Sequence, residues 1–506
     1  MSSMKTKRTL KVILISILAL AVVCGASVYG ILRFAVPKSF MLSVTEKNLL
    51  EEAKFSYEGN YKAPNDWFKK RGLYWQKTIK NNTAGFEAVW DKEVVFNTVY
   101  FEEDTDGVVL FRMYAKTNSA DEPWKLIYEQ DRIGAQDICY TETVATTALR
   151  VEILETNSVV KLDMMAVYNL PKKDTTGFKV SQYLRMDNTD IIDKLGDSGF
   201  SGYYDVVTDV IIFEMLYVDE SGDLRPYGGG IEENFDANFA ALKTIIGVRN
   251  VRIWATVMFD QYTTGADGVR AKDLDKTTAL LNSKRDHINA SIKAFVDKYG
   301  FYGIDYDWEY PQKKAHWKAY EQIISDTAKY TKVSVAISPW HFDASKETIA
   351  KIEHFNVMCY DLFDSRMHHS TTAEAAFAAI GNVVNKLKIP REKILFGIPT
   401  YGRATNGSAN SWPFYGETVQ EIDGEFVGSL GKWSNKIQTF TYKEGGMEKS
   451  CAGYLNGYAI VRDKTLFALY ADIGGVMIFR AKCDSSYDYE YSLHRAIKNT
   501  LDEFSK

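Results

Sequence analysis

The sequence has few cysteines, and none of them forms a spaced pair. Five are scattered at Cys24, Cys139, Cys359, Cys451 and Cys483, without the C-x-x-C spacing of a zinc or redox site and without the density of a disulfide scaffold. Histidine is also scarce, with seven residues. His368 and His369 are adjacent, but neighbours on an extended chain point to opposite sides and make poor joint metal ligands. No metal and no cofactor is expected. An excess of either charge is missing too: the formal net charge is -5, spread along the chain, so no basic face is available to release counterions from a nucleic acid. The glycine-rich phosphate-binding fingerprint of a doubly wound dinucleotide fold is absent as well.

What is present is enough apolar sequence for more than one core. With 506 residues, 46% hydrophobic and 25% charged, the usual domain size argues for two or three units. Aromatic residues make up 13%, including 31 tyrosines and 10 tryptophans, and aromatic faces pack well against the C–H faces of sugars. Residues 12–32 form an uncharged apolar run close to the ~20 residues that cross a bilayer core as a helix, preceded by Lys5, Lys7, Arg8 and Lys11. Segment 1–36 therefore reads as a basic cytoplasmic end followed by an uncleaved membrane anchor, which puts the rest of the chain outside the cell. The alternative is cleavage after the small residues near Cys24-Gly25-Ala26 and a secreted protein. Residues 37–66 read as a polar stalk. A monomer is expected.

From 67 to 168 the pattern is short β-type runs (VVFNTVYFEE, GVVLFRMYAK, WKLIYEQ, LRVEILE, VVKLDMMAVYN) divided by polar turns, the signature of an all-β sandwich or jelly roll. The pieces 96–103, 124–128, 149–153 and 166–168 resemble the discoidin-like (F5/8 type C) family of carbohydrate-binding modules, and the resemblance implies either sugar binding or a spacer. Within it, Trp124 and Arg150 read as core and scaffold. The stretch 169–177 (NLPKKDTTG) carries Pro, Gly and charge and reads as a linker. Beyond it, in 178–506, eight extended runs (FKVSQYL, VTDVIIFEML, VRNVRIWATVM, FYGIDYDWEY, KVSVAISP, FNVMCYD, KILFGIPTYG, IGGVMIFRA) alternate with amphipathic helical stretches such as 271–299 and 373–387. The fold class is α/β, a (β/α)8 TIM barrel behind the β-sandwich and the transmembrane segment.

The fourth run carries the chemistry. Alternate side chains of a strand share a face, so Gly303, Asp305, Asp307 and Glu309 point one way while Ile304, Tyr306 and Trp308 point toward the outer helices. Unpaired carboxylates are costly inside a barrel, and neighbours two apart are close enough to perturb one another's pKa. Pro311 ends the strand, which leaves Glu309 at the C-terminal mouth where barrel enzymes work.

The segment 300–311, GFYGIDYDWEYP, resembles the Asp-Gly-x-Asp-x-Asp-x-Glu signature of glycoside hydrolase family 18, the chitinases and endo-β-N-acetylglucosaminidases. That resemblance implies that Glu309 is the general acid, that Asp307 holds the substrate's acetamido group, and that Asp305 shares a proton or hydrogen bond with Asp307. It implies a substrate-assisted, retaining reaction in which the N-acetyl oxygen is the nucleophile. Met358-Cys359-Tyr360-Asp361 resembles the family's Met-x-Tyr-Asp segment, which makes Tyr360 a catalytic candidate and Met358 and Asp361 substrate-binding ones. GIPTYGR (397–403) offers Tyr401 and Arg403, and Trp340 after Ser338-Pro339 is a candidate subsite wall. Phe479 stands where the family usually has a Trp floor, Tyr302 replaces the first Asp, and ATVMFDQ replaces a Ser-x-Gly-Gly run. These departures leave the acid intact and weigh against polymeric chitin.

No room remains between Arg403 and the last strand for a large α+β insertion, so a short, open cleft is expected. The expected substrate is a glycan containing β-1,4-linked N-acetylglucosamine, either a chitooligosaccharide or the chitobiose core of N-glycans. The alternatives are a silent lectin-like relative and a peptidoglycan-directed N-acetylglucosaminidase.

Overall fold

The computed structural model describes residues 46–57, 63–64, 66–69, 75–77, 84–105, 107–116, 123–134, 137–186, 198–226, 231–264, 270–362, 373–404, 415–422, 425–428, 431–433, 436–444 and 447–506. The apolar run 12–32 lies outside them. Among the described residues no helix is long and apolar enough to cross a membrane.

The N-terminal unit is antiparallel. Its strands are β1 (Lys54–Tyr57), β2 (Trp75–Lys77), β3 (Ala84–Glu103), β4 (Val108–Lys116), β5 (Lys125–Gln130), β6 (Asp137–Thr156) and β7 (Val160–Tyr168). They pair in the order β2-β7-β3-β6-β4-β5, with β1 on β3. Strands β3 and β6 are each 20 residues long, and their ladder shifts register between Val89 and Val94 and between Phe96 and Thr98. Such irregularities bend a strand, so one strand serves two parts of the sheet around a core containing Trp67, Trp75, Phe86, Phe101 and Phe111.

The described part of 37–66 is not a stalk. A 3-10 turn at Leu49–Glu52 buries Leu50 completely, and Asn48 bonds the backbone of Met165 and Val167 on β7. Leu50 and Phe55 join the same core, so a polar-looking stretch is held down by a few apolar positions.

All eight runs expected in 178–506 are barrel strands: β8 (Lys179–Arg185), β9 (Asp209–Val218), β10 (Arg252–Phe259), β11 (Gly303–Asp307), β12 (Lys332–Ile337), β13 (His354–Val357), β14 (Ile394–Pro399) and β15 (Gly475–Phe479). They pair in parallel in that order, and β15 returns to β8, closing the ring. Outer helices include α1 (Ile231–Ile246), α2 (Leu274–Tyr299), α3 (Lys314–Thr327), α4 (Lys346–Lys351), α5 (Ala373–Asn385), α6 (Tyr458–Tyr470) and α7 (Leu493–Phe504). Asp273 caps α2 by accepting from the Lys276 N–H, and Gly300 ends it at φ 68°. That left-handed turn suits glycine and aims the chain into β11. Between β14 and α6, Arg403–Ala404 pairs with Met447–Tyr454, which pairs with Lys436–Glu444. The same stretch also holds a helix at Tyr415–Thr418 and a hairpin of Val419–Ile422 with Glu425–Gly428, so an α+β insertion with five strands among the described residues stands where the sequence analysis expects no room for one.

The barrel base is aromatic and charged. A Cβ on Gly303 would lie 2.2 Å from the Trp254 ring, so the glycine makes the space that Trp254 fills. Trp254 donates its indole N–H to Asp209 at 2.8 Å, and Asp209 pairs with Arg252 at 2.6 Å. Tyr302 belongs here: its hydroxyl bonds Glu353 at 3.2 Å and Arg252 lies over its ring, at the opposite end of β11 from Glu309.

His354 is fully buried beside Trp254, with ring centroids 4.8 Å apart, and neither ring nitrogen has a hydrogen-bond partner. Burial pushes its pKa down to about 3. A depressed histidine pKa stabilises the fold fully above the unfolded value near 6.5, and that contribution is lost as pH falls toward 3. The melting temperature is therefore expected to fall between pH 6.5 and 4, and His354→Met is expected to flatten that slope. An unchanged slope in His354→Met would reject the assignment.

The two units are clamped together. Asp463 on α6, buried at 1% exposure, accepts from the Tyr128 hydroxyl of β5 and from the Tyr140 N–H of β6 at 3.0 Å. Tyr140 stacks on Tyr470. Burial pushes the Asp463 carboxyl up to about 8. Across the linker, Asn97 bonds both the carbonyl and the N–H of Leu170.

Candidate active site

The site is built along β11. Parallel register places Asp305 beside Thr256 of β10 and Ser334 of β12. Ile304, Tyr306 and Trp308 pack outward, with the Tyr306 hydroxyl 2.7 Å from Thr327 of α3. The alternation expected from the sequence therefore holds, and the acids of the strand face inward.

Asp305 is fully buried and accepts from four neutral donors. Ser334 Oγ at 2.6 Å and Asn356 Nδ2 at 3.0 Å reach Oδ1, while Tyr183 at 2.9 Å and Thr256 at 3.3 Å reach Oδ2. Burial raises its pKa and the four donors oppose the rise. Four donors aimed at one group suit an ionised carboxylate, which only accepts. Asp307 is not among these partners. It lies one step higher, 6% exposed, where its charge acts on Tyr183, Tyr310 and Tyr360.

Glu309, partly exposed beyond the strand end, completes the rise toward the mouth. Tyr310 shares a hydrogen bond with the Glu309 side chain, and its pKa is raised, first by burial and then by the charge of Glu309. Lys272 donates to the Glu309 carbonyl oxygen at 2.5 Å, which pins the backbone there.

Around the acids lies an aromatic floor. Tyr360 stacks on Phe479 at 5.5 Å and meets Tyr401 edge-on at 6.1 Å. Tyr183 and Phe213 pack on the other edges of Phe479. A Cβ on Gly397 would come within 2.3 Å of the Val357 carbonyl and 3.1 Å of the Tyr360 ring, so this glycine lets Tyr360 sit where it does. Burial raises the Tyr360 pKa, helped by Tyr401, Asp307 and Glu309, which keeps its hydroxyl a donor.

Arg403 grips Asp361 with two hydrogen bonds, Nε to Oδ1 at 2.7 Å and Nη2 to Oδ2 at 2.5 Å. Asp361 sits at φ 55°. Arg403 and Tyr401 are 6% and 1% exposed, so they shape the wall behind Asp361 more than they face the opening. Trp340 is 37% exposed. The next residue, His341, bonds the Pro311 carbonyl oxygen at 2.7 Å, which ties the Trp340 loop to the end of the acid segment. Met358 is half-buried above Asn356, its N–H bonded to Ile337.

The structure thus gathers Asp305, Asp307, Glu309, Tyr360, Asp361, Tyr401, Arg403 and Phe479 at one end of the barrel. Sequence reasoning missed Tyr183, Thr256, Ser334, Asn356 and Tyr310. Only Tyr310 carried a local signal, lying between Glu309 and Pro311.

In the N-terminal unit, Arg150 lies over the Trp124 ring at 4.3 Å and bonds Glu87 at 2.6 Å, so that tryptophan face is covered.

Comparison with known proteins places this site in context. The model of "Glycosyl hydrolases family 18" matches residues 271–484. A "Probable chitinase 2" of Drosophila melanogaster is 24% identical over 260 residues, 41% of this chain and 52% of that one. A "Probable endochitinase" of Caenorhabditis elegans is 28% identical over 152 residues, 24% of each. The chain spans about half or less of the length of these curated relatives. Among solved structures, the GH18 chitinase ChiB of Flavobacterium johnsoniae is 20% identical with a TM-score of 0.47, covering 65% of this chain and 94% of that one. A chitinase of Bacteroides thetaiotaomicron is 17% identical with a TM-score of 0.48, covering 64% and 97%.

Proposed function

We propose that the chain is a retaining glycoside hydrolase that cleaves β-1,4 linkages at N-acetylglucosamine with help from the substrate's own acetamido group. The family match supports a chitinase-like hydrolase barrel. The observation that carries the finer reading is the graded acid ladder of β11, in which a buried Asp305 with four donors lies beneath Asp307, and Asp307 beneath the partly exposed Glu309.

In the proposed reaction the acetamido oxygen attacks C1, the C1–O bond breaks, and the leaving oxygen takes the proton of Glu309. Asp307 accepts the acetamido N–H and Tyr360 donates to its oxygen, so the nucleophile is held beneath C1. Asp305 fixes negative charge behind Asp307. Water then enters from the face the leaving group vacated, gives its proton to Glu309 and opens the ring intermediate. Two displacements at C1 retain the configuration. No second carboxylate is needed as nucleophile, so the separation rule for paired carboxylates does not apply.

Phe479 provides an apolar platform under the reacting sugar but has no N–H to offer. This favours short oligosaccharides or glycan cores over a crystalline polymer. We place the barrel outside the cell behind a membrane anchor at 12–32. The test is to incubate the full chain with chitooligosaccharides, a high-mannose glycoprotein and peptidoglycan, and to follow the anomer first released. Release of β-anomeric N-acetylglucosamine ends is expected from one of the first two. Release of the α anomer would sink the mechanism, and binding without release would favour a lectin.

A further inference from the structure

The strand ladders stop short of the acid. Pairing of β11 with β10 ends at Asp307 and Met258, and pairing with β12 ends at Tyr306 and Val335. Beyond them, among the described residues, the main chain of Glu309, Tyr310 and Pro311 bonds no other main chain. A positioned acid tolerates little drift, since a misplacement of about 1 Å can cost about 10²-fold in rate. Something other than the sheet therefore has to hold this turn.

Two side chains do so, one from each flanking loop. Lys272 reaches across from the strand pair Tyr262–Thr264 and Arg270–Lys272, which follows β10, and donates to the Glu309 carbonyl oxygen at 2.5 Å. Its ammonium lies 6.0 Å from the Tyr262 ring and 5.9 Å from the Tyr310 ring. The strand pair is itself anchored, because the Asp273 N–H bonds the Gln261 carbonyl oxygen at 2.7 Å and Asp273 caps α2. On the other side, His341 follows β12 and donates to the Pro311 carbonyl oxygen at 2.7 Å. Its loop is fixed by Asn382 of α5, which bonds the Pro339 carbonyl oxygen at 2.7 Å, and its ring packs on Trp317 of α3. An ammonium and a ring N–H thus take the places that neighbouring strands would otherwise fill.

We propose that Lys272 and His341 are positioning residues for the reaction, each joining one wall of the cleft to the main chain of the acid-bearing turn, so that contact of a substrate with either wall sets the place of Glu309. This rests on the reading of Glu309 as the acid. Half-buried Tyr262 shares the hairpin with Lys272, and Trp340, 37% exposed, precedes His341. A leaving sugar that presses on either ring is one side chain away from the turn. Binding energy gained there is spent on orientation, which raises kcat more than it lowers KM. Both residues act through the backbone and not on the reacting atoms.

The test compares Lys272→Met, Lys272→Arg, His341→Phe and His341→Gln in the full chain, by steady-state rates on a chitooligosaccharide and by hydrogen exchange of the segment 307–313. Methionine and phenylalanine keep bulk and remove the donor, while arginine and glutamine restore one. Lys272→Met and His341→Phe are each expected to lower kcat about tenfold, with KM within about twofold and the melting temperature unchanged, and to speed exchange in the segment. Lys272→Arg and His341→Gln are expected to keep most of the rate. Unchanged kcat, a loss confined to KM, or no rescue by the conservative variant overturns the proposal. A wild type that cleaves nothing would sink the catalytic reading by itself. Exchange still decides in that case, and unchanged exchange in Lys272→Met and His341→Phe removes both ties whatever the rates.

Discussion

Glu309→Gln is expected to lower the turnover of a chitooligosaccharide by about 10²–10⁴-fold, the usual contribution of a positioned general acid, while leaving substrate binding within a few-fold of wild type. The amide keeps the size of the side chain and can still hydrogen-bond Tyr310, so the loss isolates the proton. Because the same group returns as base in the second displacement, both half-reactions slow, and a burst of product is not expected. Single-turnover and steady-state rates on one substrate check this. Equal rates for the two proteins would remove Glu309 from the mechanism, and a loss confined to KM would make it a binding residue. Tyr310→Phe removes the shared hydrogen bond and leaves the acid in place. It is expected to lower the maximal rate far less than Glu309→Gln does, which the same steady-state measurement checks.

Gly303→Ala is expected to be among the most damaging single-methyl changes in the barrel, with Gly475→Ala, whose added Cβ would lie 2.0 Å from the Lys179 carbonyl oxygen. On Gly303 the added Cβ would lie 2.2 Å from the Trp254 ring and 2.7 Å from the Lys332 carbonyl oxygen. The first atom belongs to an indole whose N–H is anchored to Asp209, and the second is backbone of the adjacent strand. Overpacking of this kind costs about 1–3 kcal/mol where side chains can yield; here backbone must move, and about 3 kcal/mol or more is expected. Denaturant unfolding of Gly303→Ala measures the cost. Adding Trp254→Leu is expected to recover part of the loss and not all of it, because the contact with Lys332 remains. A stable Gly303→Ala would mean that the strand base is looser than the structure shows.

These two positions also mark what was readable from the sequence. The eight strand runs and the inward row of Gly303, Asp305, Asp307 and Glu309 follow from the two-residue period of a strand, a local property. The four donors to Asp305 do not. Tyr183, Thr256, Ser334 and Asn356 lie on four different strands, and only the closed ring and its register bring them to one carboxylate. The pairing of Arg403 with Asp361 is equally non-local: both residues were singled out, yet nothing in either segment said that each would occupy the other. The stretch 46–57 was misread because Leu50 and Phe55 look isolated in a polar context until strand β3 provides the edge that receives them.

The Asp463 clamp has a mechanical consequence. A linker that swivelled would let the β-unit and the catalytic mouth sample many separations, and whatever one captured would reach the other at a concentration set by chain statistics. Here Tyr128 and Tyr140 close on Asp463 and Tyr470 of α6, and the helix that carries the clamp leads directly into the last barrel strand, the one that ends in Phe479. The angle between the two surfaces is then fixed once, at folding. Anything held on the outer flank would therefore meet the acid ladder from a single direction.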